Sequence, residues 1–461
     1  MKPKPGSTGV GAQYFARYAE PEIALTSELA ERYLAALVVP VCGEAPSLLA
    51  GFERALSSAN ERVLLLLVVN ATDAASATIH AENQRLLAHL AGAFPERRTL
   101  AHESVGTRAW LGRAEHHDLL WLDRASSGAR LPAREGVGMA RKLGGDLAAL
   151  LWARGQLSCP LLACSDADVT LPADYFQRLS EPVSERQPSA AWLWPYRHQA
   201  GGDPAIDAAT VLYEISLRYY VLGLAAAGSC YAYQSVGSTL CVDAAAYLSV
   251  RGVPKREAAE DFHLLDKLAK VGPLRRPFVT PLEIRARASE RVPFGTGRRS
   301  REIASELANG RPLSLYSPRI FQALAAVLHG LDDFARSAEV AALSRAVELG
   351  VPEIAAPVQQ ILRDLGTFAA LDSAAKQAPT GAVLRRRVHT WFDSLRTLRF
   401  VHGLRDRCLP SVPWRSALAS APFVPASFGT DSEPDAVCRV LALAEAELPL
   451  RVGPSLLGSP P

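Results

Sequence analysis

The sequence predicts an α/β domain with a mainly parallel sheet, followed by a helical region. Three observations carry this. Short uninterrupted apolar runs, at residues 37–41, 63–69 and 160–164, suit strands covered on both faces. They alternate with stretches whose apolar residues recur at helical spacing. After about Arg299 the strand-like runs stop and helical stripes continue.

Residues 1–30 read as a poorly anchored arm. Residues 37–41 are the first strand, ended by turn residues. Residues 47–59 read as a helix with Leu48, Leu49, Phe52 and Leu56 on one face, and 63–69 as the second strand. Residues 81–94 are helical. In 136–155 Met139, Leu143, Leu147 and Leu150 fall at helical spacing. Strands follow at 160–164 and 191–194. From 300 to 407 the chain reads as helical, with stripes at Phe321, Leu324, Leu328, Leu331 and at Trp391, Leu395, Leu398. Beyond Leu409 it is rich in proline and small residues, with one helix starting near Ser432-Glu433-Pro434-Asp435. The expected organisation is an arm at 1–30, an α/β domain at 31–300 and a helical domain at 301–461.

Composition narrows the function. Of 461 residues, 49% are hydrophobic and 21% charged, as in ordinary globular chains. With 50 basic and 47 acidic residues the formal charge is +3, too balanced to imply a nucleic-acid partner. The seven cysteines are scattered and form no Cys-x-x-Cys, which predicts reduced thiols and a cytoplasmic setting. The opening Met1-Lys2-Pro3-Lys4-Pro5-Gly6 has no signal-type apolar stretch. The most apolar long segment, 211–233, contains Glu214 and Arg218, too costly for an unassisted span. Peripheral association with a membrane-borne acceptor is compatible with this.

Two acidic motifs carry the chemistry. Ser165-Asp166-Ala167-Asp168 follows the apolar run 160–164. Two carboxylates at a strand end are hard oxygen ligands for Mg²⁺ or Mn²⁺ on a diphosphate, with phosphate and water completing the shell. Glu260-Asp261 opens a helix whose Phe262, Leu265 and Leu268 face a core. Acids are favoured at a helix start by the free N–H groups, and a carboxylate fixed there can also act as a general base. Gly136-Val137-Gly138 leads into Arg141 and Lys142 at another helix start, a weak anion-site signal. Arg285, Arg287, Arg291, Arg298 and Arg299 crowd around a glycine-containing segment that reads as a lid over phosphate. His263 could serve as a metal ligand or support one, although a lone histidine in a helix is more often neither, and the pair His116-His117 has no partner at metal-site spacing. Trp192 and Trp194 read as core.

The order of these motifs resembles family-2 glycosyltransferases of the GT-A fold, a Rossmann-like arrangement, over roughly residues 34–300. Val38-Val39-Pro40-Val41-Cys42-Gly43-Glu44 resembles that family's first strand and turn, with Gly43 in place of asparagine. Val68-Val69-Asn70-Ala71-Thr72-Asp73 resembles the second strand end, with Asn70 in place of an acid. Ala140-Arg141-Lys142-Leu143-Gly144 resembles an Ala-Arg-Asn-x-Gly segment. Gly237-Ser238-Thr239-Leu240 resembles the acceptor-side segment. The segment from Arg251 to Asp261 resembles Gly-Gly-Phe…Glu-Asp, with Arg251 replacing a glycine.

The resemblance implies a nucleotide-diphospho-sugar donor, UDP- or GDP-linked, and a hydroxyl acceptor. Asp168 and Asp166 would hold the metal, Asp261 would be the base, and Glu260 would orient it. Pro40, Glu44, Asn70, Asp73, Arg141, Lys142, Asp166, Arg287 and Arg291 would contact the donor. The Gln-x-x-Arg-Trp motif of processive synthases is missing. The expectation is a metal-dependent, inverting glycosyltransferase. Alternatives are a retaining GT-A enzyme similar to mannosylglycerate synthase and a non-catalytic GT-A module that binds a partner.

Overall fold

A computed structural model describes residues 10–181, 189–289, 295–378, 381–425, 432–449 and 451–457. Backbone contacts divide the chain into two units, Met1–Ala200 with Ser235–Arg298 and Gly201–Gln234 with Arg299–Pro461. The expected boundaries are therefore corrected twice. Residues 201–234 leave the α/β unit for the helical one, and the N-terminal arm belongs to the α/β unit.

In the first unit the strands are β1 (Ala36–Val41), β2 (Val63–Asn70), β3 (Arg98–His102), β4 (Val105–Arg113), β5 (His117–Arg124), β6 (Leu161–Cys164), β7 (Val169–Thr170), β8 (Ala191–Leu193), β9 (Tyr196–Gln199), β10 (Leu240–Asp243), β11 (Leu274–Arg275) and β12 (Leu282–Arg285). Its helices include α1 (Val10–Arg17), α2 (Ala50–Ser57), α3 (Ala77–Ala93), α4 (Gly136–Ala153) and α5 (Tyr175–Leu179). After α6 (Pro204–Ala226), which lies in the second unit, come α7 (Ala244–Ser249) and α8 (Glu260–Val271).

The main sheet runs β11-β8-β10-β6-β1-β2-β5-β4-β3. The centre is parallel, from β6 through β1 and β2 to β5. β10 runs against both β6 and β8, and β3 and β4 form an antiparallel extension of β5. The sheet is thus mixed around a parallel centre. Every residue of β1 and β2 is buried, as continuous apolar runs require.

The chain steps outward from β1 to β2 and β5, then returns to place β6 on the other side of β1. That reversal makes a crevice at the carboxyl ends of β1 and β6, where open α/β sheets bind ligands. Pro40 marks the opening. Ser165 N–H reaches the Val38 carbonyl at 2.9 Å, and β1 pairs β6 only at Leu37 and Val38. Pro40, two residues on, faces the same side where the pairing has ended, so its missing N–H leaves no gap in the ladder. Helix α4 packs close on β1: a Cβ at Gly144 would come within 2.3 Å of Val38.

A second small sheet places β12 between β7 and β9. β7 follows directly on Asp168, so this sheet fixes the far side of the acidic turn.

Helix α1 is anchored by a buried ionic cluster. Tyr14 donates to Asp146 at 2.5 Å, and Tyr247 donates to the same carboxylate at 2.7 Å. Lys142 donates to Asp146 at 2.9 Å and to Tyr14 at 2.9 Å. The Tyr14 hydroxyl is held well above the ordinary phenol range, first by burial and then by Asp146.

The second unit contains α6 and further helices, α9 (Thr296–Ala308) at its edge, α10 (Pro318–Ser337), α11 (Ala341–Gly350), α12 (Ala355–Asp364), α13 (Thr367–Gln377), α14 (Ala382–Trp391), α15 (Ser394–Arg407), α16 (Trp414–Ser420) and α17 (Pro434–Ala446). A two-stranded pair, Ser314–Leu315 with Val412–Pro413, is its small β element. Buried Arg218 on α6 bonds Glu214 at 2.6 Å and Glu445 of α17 at 2.7 Å. The two charges that make 211–233 unsuitable for lipid are therefore a paired latch between helices. Among the described residues, no helix is long and apolar enough to cross a membrane.

Candidate active site

The two acidic motifs, about a hundred residues apart in sequence, meet through one side chain. Arg141, buried on the first turns of α4, donates from Nη2 to Asp166 at 2.6 Å and from Nε to Glu260 at 2.8 Å. Its Nη1 donates to the Gly237 carbonyl at 3.0 Å. Glycine at 237 leaves room for this guanidinium, since a Cβ would lie 2.5 Å from Arg141 Nη2 and displace it. Burial works against the charge of Arg141, but Asp166 and Glu260 outweigh it and hold the guanidinium firmly protonated. The nearby Cys164 thiol is pushed up to about 11 by burial.

The backbone leading to Glu260 is strained. Gly138 of α4 lies so close to the loop before α8 that a Cβ would meet the Arg256 carbonyl at 2.5 Å. Arg251 and Ala259 both have left-handed backbone, with φ of 65° and 58°, a conformation costly for side chains other than glycine. Arg251 stands where the resembled family has glycine, and its guanidinium lies 4.8 Å over the Tyr18 ring. Ala259 turns the chain directly into α8, so Glu260 and Asp261 occupy the first helical turn. Glu260 is 4% exposed, whereas Asp261 is partly open and accepts from the Phe262 N–H at 2.7 Å.

On the other side of the crevice, Arg287 donates to Asp168 and to Glu44, each at 2.6 Å. The Arg285 N–H bonds the Asp168 carbonyl at 2.9 Å, and Ile284 pairs with Val169 in the β12–β7 ladder. Glu44, Asp166, Asp168, Glu260, Asp261, Arg141 and Arg287 are thus linked at the end of β1 and β6.

Among the described residues these five carboxylates meet two guanidinium groups, and burial changes the protonation of three of the acids. Burial raises the Asp168 carboxyl, with Asp166 and Glu44 adding to it against Arg287. Burial, and then Asp261, push Glu260 up to about 7, against Arg141. Burial likewise raises Asp261. Among the described residues carboxylates outnumber guanidinium groups here, which suits a cation. No group of three or more His, Cys, Asp or Glu side chains converges as a metal cage among the described residues. A divalent ion would therefore take one or two carboxylates and complete its shell with phosphate and water, the arrangement Mg²⁺ favours. Asp166 and Asp168 fit this: each has one oxygen in an arginine bond and its other oxygen without a hydrogen bond from the described residues.

The remaining expected donor contacts divide. Asn70 is buried and donates to the Val41 and Val68 carbonyls at 3.0 and 3.1 Å, closing the ends of β1 and β2. Asp73 is exposed beyond β2 and pairs with Arg130 at 2.9 Å. Lys142 is not brought to the carboxylate group: one residue along α4 turns it to Asp146 and Tyr14, so its expected donor contact is corrected to an anchor for α1. Arg291 lies outside the described residues.

Sequence reasoning missed Asn83. Fully buried on α3, it accepts from the Gly43 N–H at 2.8 Å and donates to the Asn70 carbonyl at 2.9 Å. It fixes the turn after β1 that carries Glu44. Its signal was a polar residue on the face of α3 that also carries Leu86 and Leu90. The Ser165 hydroxyl, beside Asp166, is buried without a hydrogen-bond partner among the described residues.

The chain matches no protein-family model and no curated protein.

Proposed function

We propose that the chain is a metal-dependent glycosyltransferase of the GT-A type, moving a sugar from a nucleotide-diphospho-sugar to an acceptor hydroxyl with inversion. The observation that carries this is Arg141. It ties the strand-end carboxylate Asp166 to the helix-start carboxylate Glu260 at the crevice where parallel sheets bind ligands.

In this reading the donor lies over the ends of β1 and β6. Asp168 and Asp166 would hold Mg²⁺ or Mn²⁺, which when bound supplies charge that stabilises the departing diphosphate. Arg287 adds a guanidinium fork suited to phosphate oxygens. Asp261, the more open of the helix-start acids, takes the proton of the acceptor hydroxyl. The hydroxyl oxygen then bonds to the anomeric carbon as the bond to the diphosphate oxygen breaks, and the configuration inverts. Glu260, locked by Arg141, keeps the first turn of α8 in place, while burial and the nearby Asp166 carboxylate raise Asp261, which favours proton uptake.

A thermal-shift comparison tests the reading. UDP, GDP and their sugars, each with and without Mn²⁺, are added to wild type and Asp168→Ala. A ligand at about a hundred times its Kd stabilises by about 3 kcal/mol. A Mn²⁺-dependent rise in Tm for one nucleotide, lost in Asp168→Ala, is expected. No rise with any nucleotide would refute the proposal.

A further inference from the structure

We propose that Arg287 is a resident cation of the metal site. It holds Asp168 and Glu44 until a divalent ion takes the carboxylate, and the released guanidinium then binds the donor diphosphate. The inference rests on the glycosyltransferase reading and adds an exchange step that the reading does not require.

The geometry builds Arg287 into the site. Its Nε donates to Asp168 Oδ2 and its Nη1 to Glu44 Oε1, both at 2.6 Å. The fork is shared between two acids, and Nη2 makes no hydrogen bond with the described residues. The backbone is pinned on the strand side by the β12–β7 ladder, in which Glu283 pairs with Thr170 and Ile284 with Val169. Beyond the strand Gly297 packs close against it, since a Cβ there would fall 3.0 Å from the Arg287 carbonyl and 2.7 Å from the Ser289 Cβ. The ladder that orders Asp168 therefore also delivers Arg287. The side chain itself is 29% exposed and so can be reached from solvent.

Charge makes the contact an exchange. A guanidinium beside a carboxylate opposes the arrival of another cation, as it opposes a proton, by about one to three powers of ten. A divalent ion on Asp168 meets Arg287 as a like charge a few ångströms away. The nearest relief for that guanidinium is the diphosphate the ion brings, whose oxygens match the fork. Glu44 keeps the departing side chain near, because the turn that carries it is held by Asn83. Metal and donor then bind cooperatively, and Arg287 is what couples them.

Two affinities test this, neither needing turnover. Mn²⁺ binding is read from the free-ion electron paramagnetic resonance signal, without nucleotide. UDP and GDP binding are read by calorimetry at saturating Mn²⁺. Wild type, Arg287→Gln, Arg287→Lys and Asp168→Ala are compared, with circular dichroism to check the fold. Arg287→Gln is expected to bind Mn²⁺ about tenfold more tightly, the lower end of the effect of one neighbouring charge. It should bind the nucleotide about tenfold more weakly, having lost a charge-assisted bond. Arg287→Lys keeps the charge and should leave Mn²⁺ affinity near wild type, while the lost fork still weakens the nucleotide. Mn²⁺ affinity in Arg287→Gln equal to or below wild type would overturn the exchange. Nucleotide binding by wild type without Mn²⁺, abolished in Arg287→Gln, would overturn it too and leave the donor site standing. Failure of wild type to bind either Mn²⁺ or nucleotide would remove the glycosyltransferase reading along with it.

Discussion

Replacing Arg141 with methionine should cost the fold several kilocalories, and the cost should depend on pH in a fixed direction. The substitution keeps most of the apolar stem and removes the guanidinium between Asp166 and Glu260. Asp166 can turn to water, being about one-third exposed, but Glu260 is stranded inside. Breaking a buried pair in this way costs about 3–5 kcal/mol. Even with Arg141 present, the carboxyl of Glu260 rises from an ordinary 4.5 to about 7. At about 1.4 kcal/mol per tenfold step, its ionisation already costs the folded chain about 3 kcal/mol. Between those two values the folded chain holds more protons than the unfolded one, so stability falls as pH rises through the window. Without Arg141 the carboxyl rises further. The deficit of Arg141→Met should therefore be largest above pH 7 and small at pH 5, where Glu260 is already protonated in both proteins. Urea unfolding at pH 5, 6, 7 and 8 measures this, with hydrogen exchange across α8 locating the loss. Adding Glu260→Gln removes the stranded charge and should recover about half of the deficit at pH 8. Equal deficits at pH 5 and pH 8, or none at either, would show that Arg141 does not neutralise Glu260.

Two further outcomes follow from the same geometry. Asp261→Asn should lower kcat by about 10²–10⁴, the usual contribution of a general base, while nucleotide affinity stays within twofold; steady-state kinetics with calorimetry separates the two. Ala259→Gly relieves a left-handed backbone at a position with no side-chain role in capping; it should raise stability by about 0.5–1 kcal/mol, read as a higher urea midpoint, and a fall would show that the turn is unstrained.

The site was legible where chemistry and strand ends coincide. Asp166 and Asp168 follow a buried apolar run, and that pattern alone put them at the carboxyl end of a strand. Glu260 and Asp261 precede a clear helical stripe. Asn83 and the pairing of Arg287 with Glu44 were not legible, because each depends on a contact across more than thirty residues. Lys142 was misread because Arg141 and Lys142 look equivalent in sequence. A helix turns about 100° per residue, so adjacent basic residues serve different neighbours. The strands β3 and β4 escaped notice because their half-exposed alternation is weaker than the continuous runs of β1 and β2.

The sequence by itself determined β1, β2 and β6 of the parallel centre but not β5, together with the helical character after residue 300 and the two acidic motifs. Local periodicity and end signals carry that information along the chain. Tertiary structure decided which unit owns 201–234, because Arg218, paired with Glu214 on its own helix, also bonds Glu445 of α17. It also decided that Arg141 joins the motifs while Lys142 does not. Burial and charge balance are properties of neighbours in space, and a buried ion chooses its partner by desolvation cost rather than by distance along the chain.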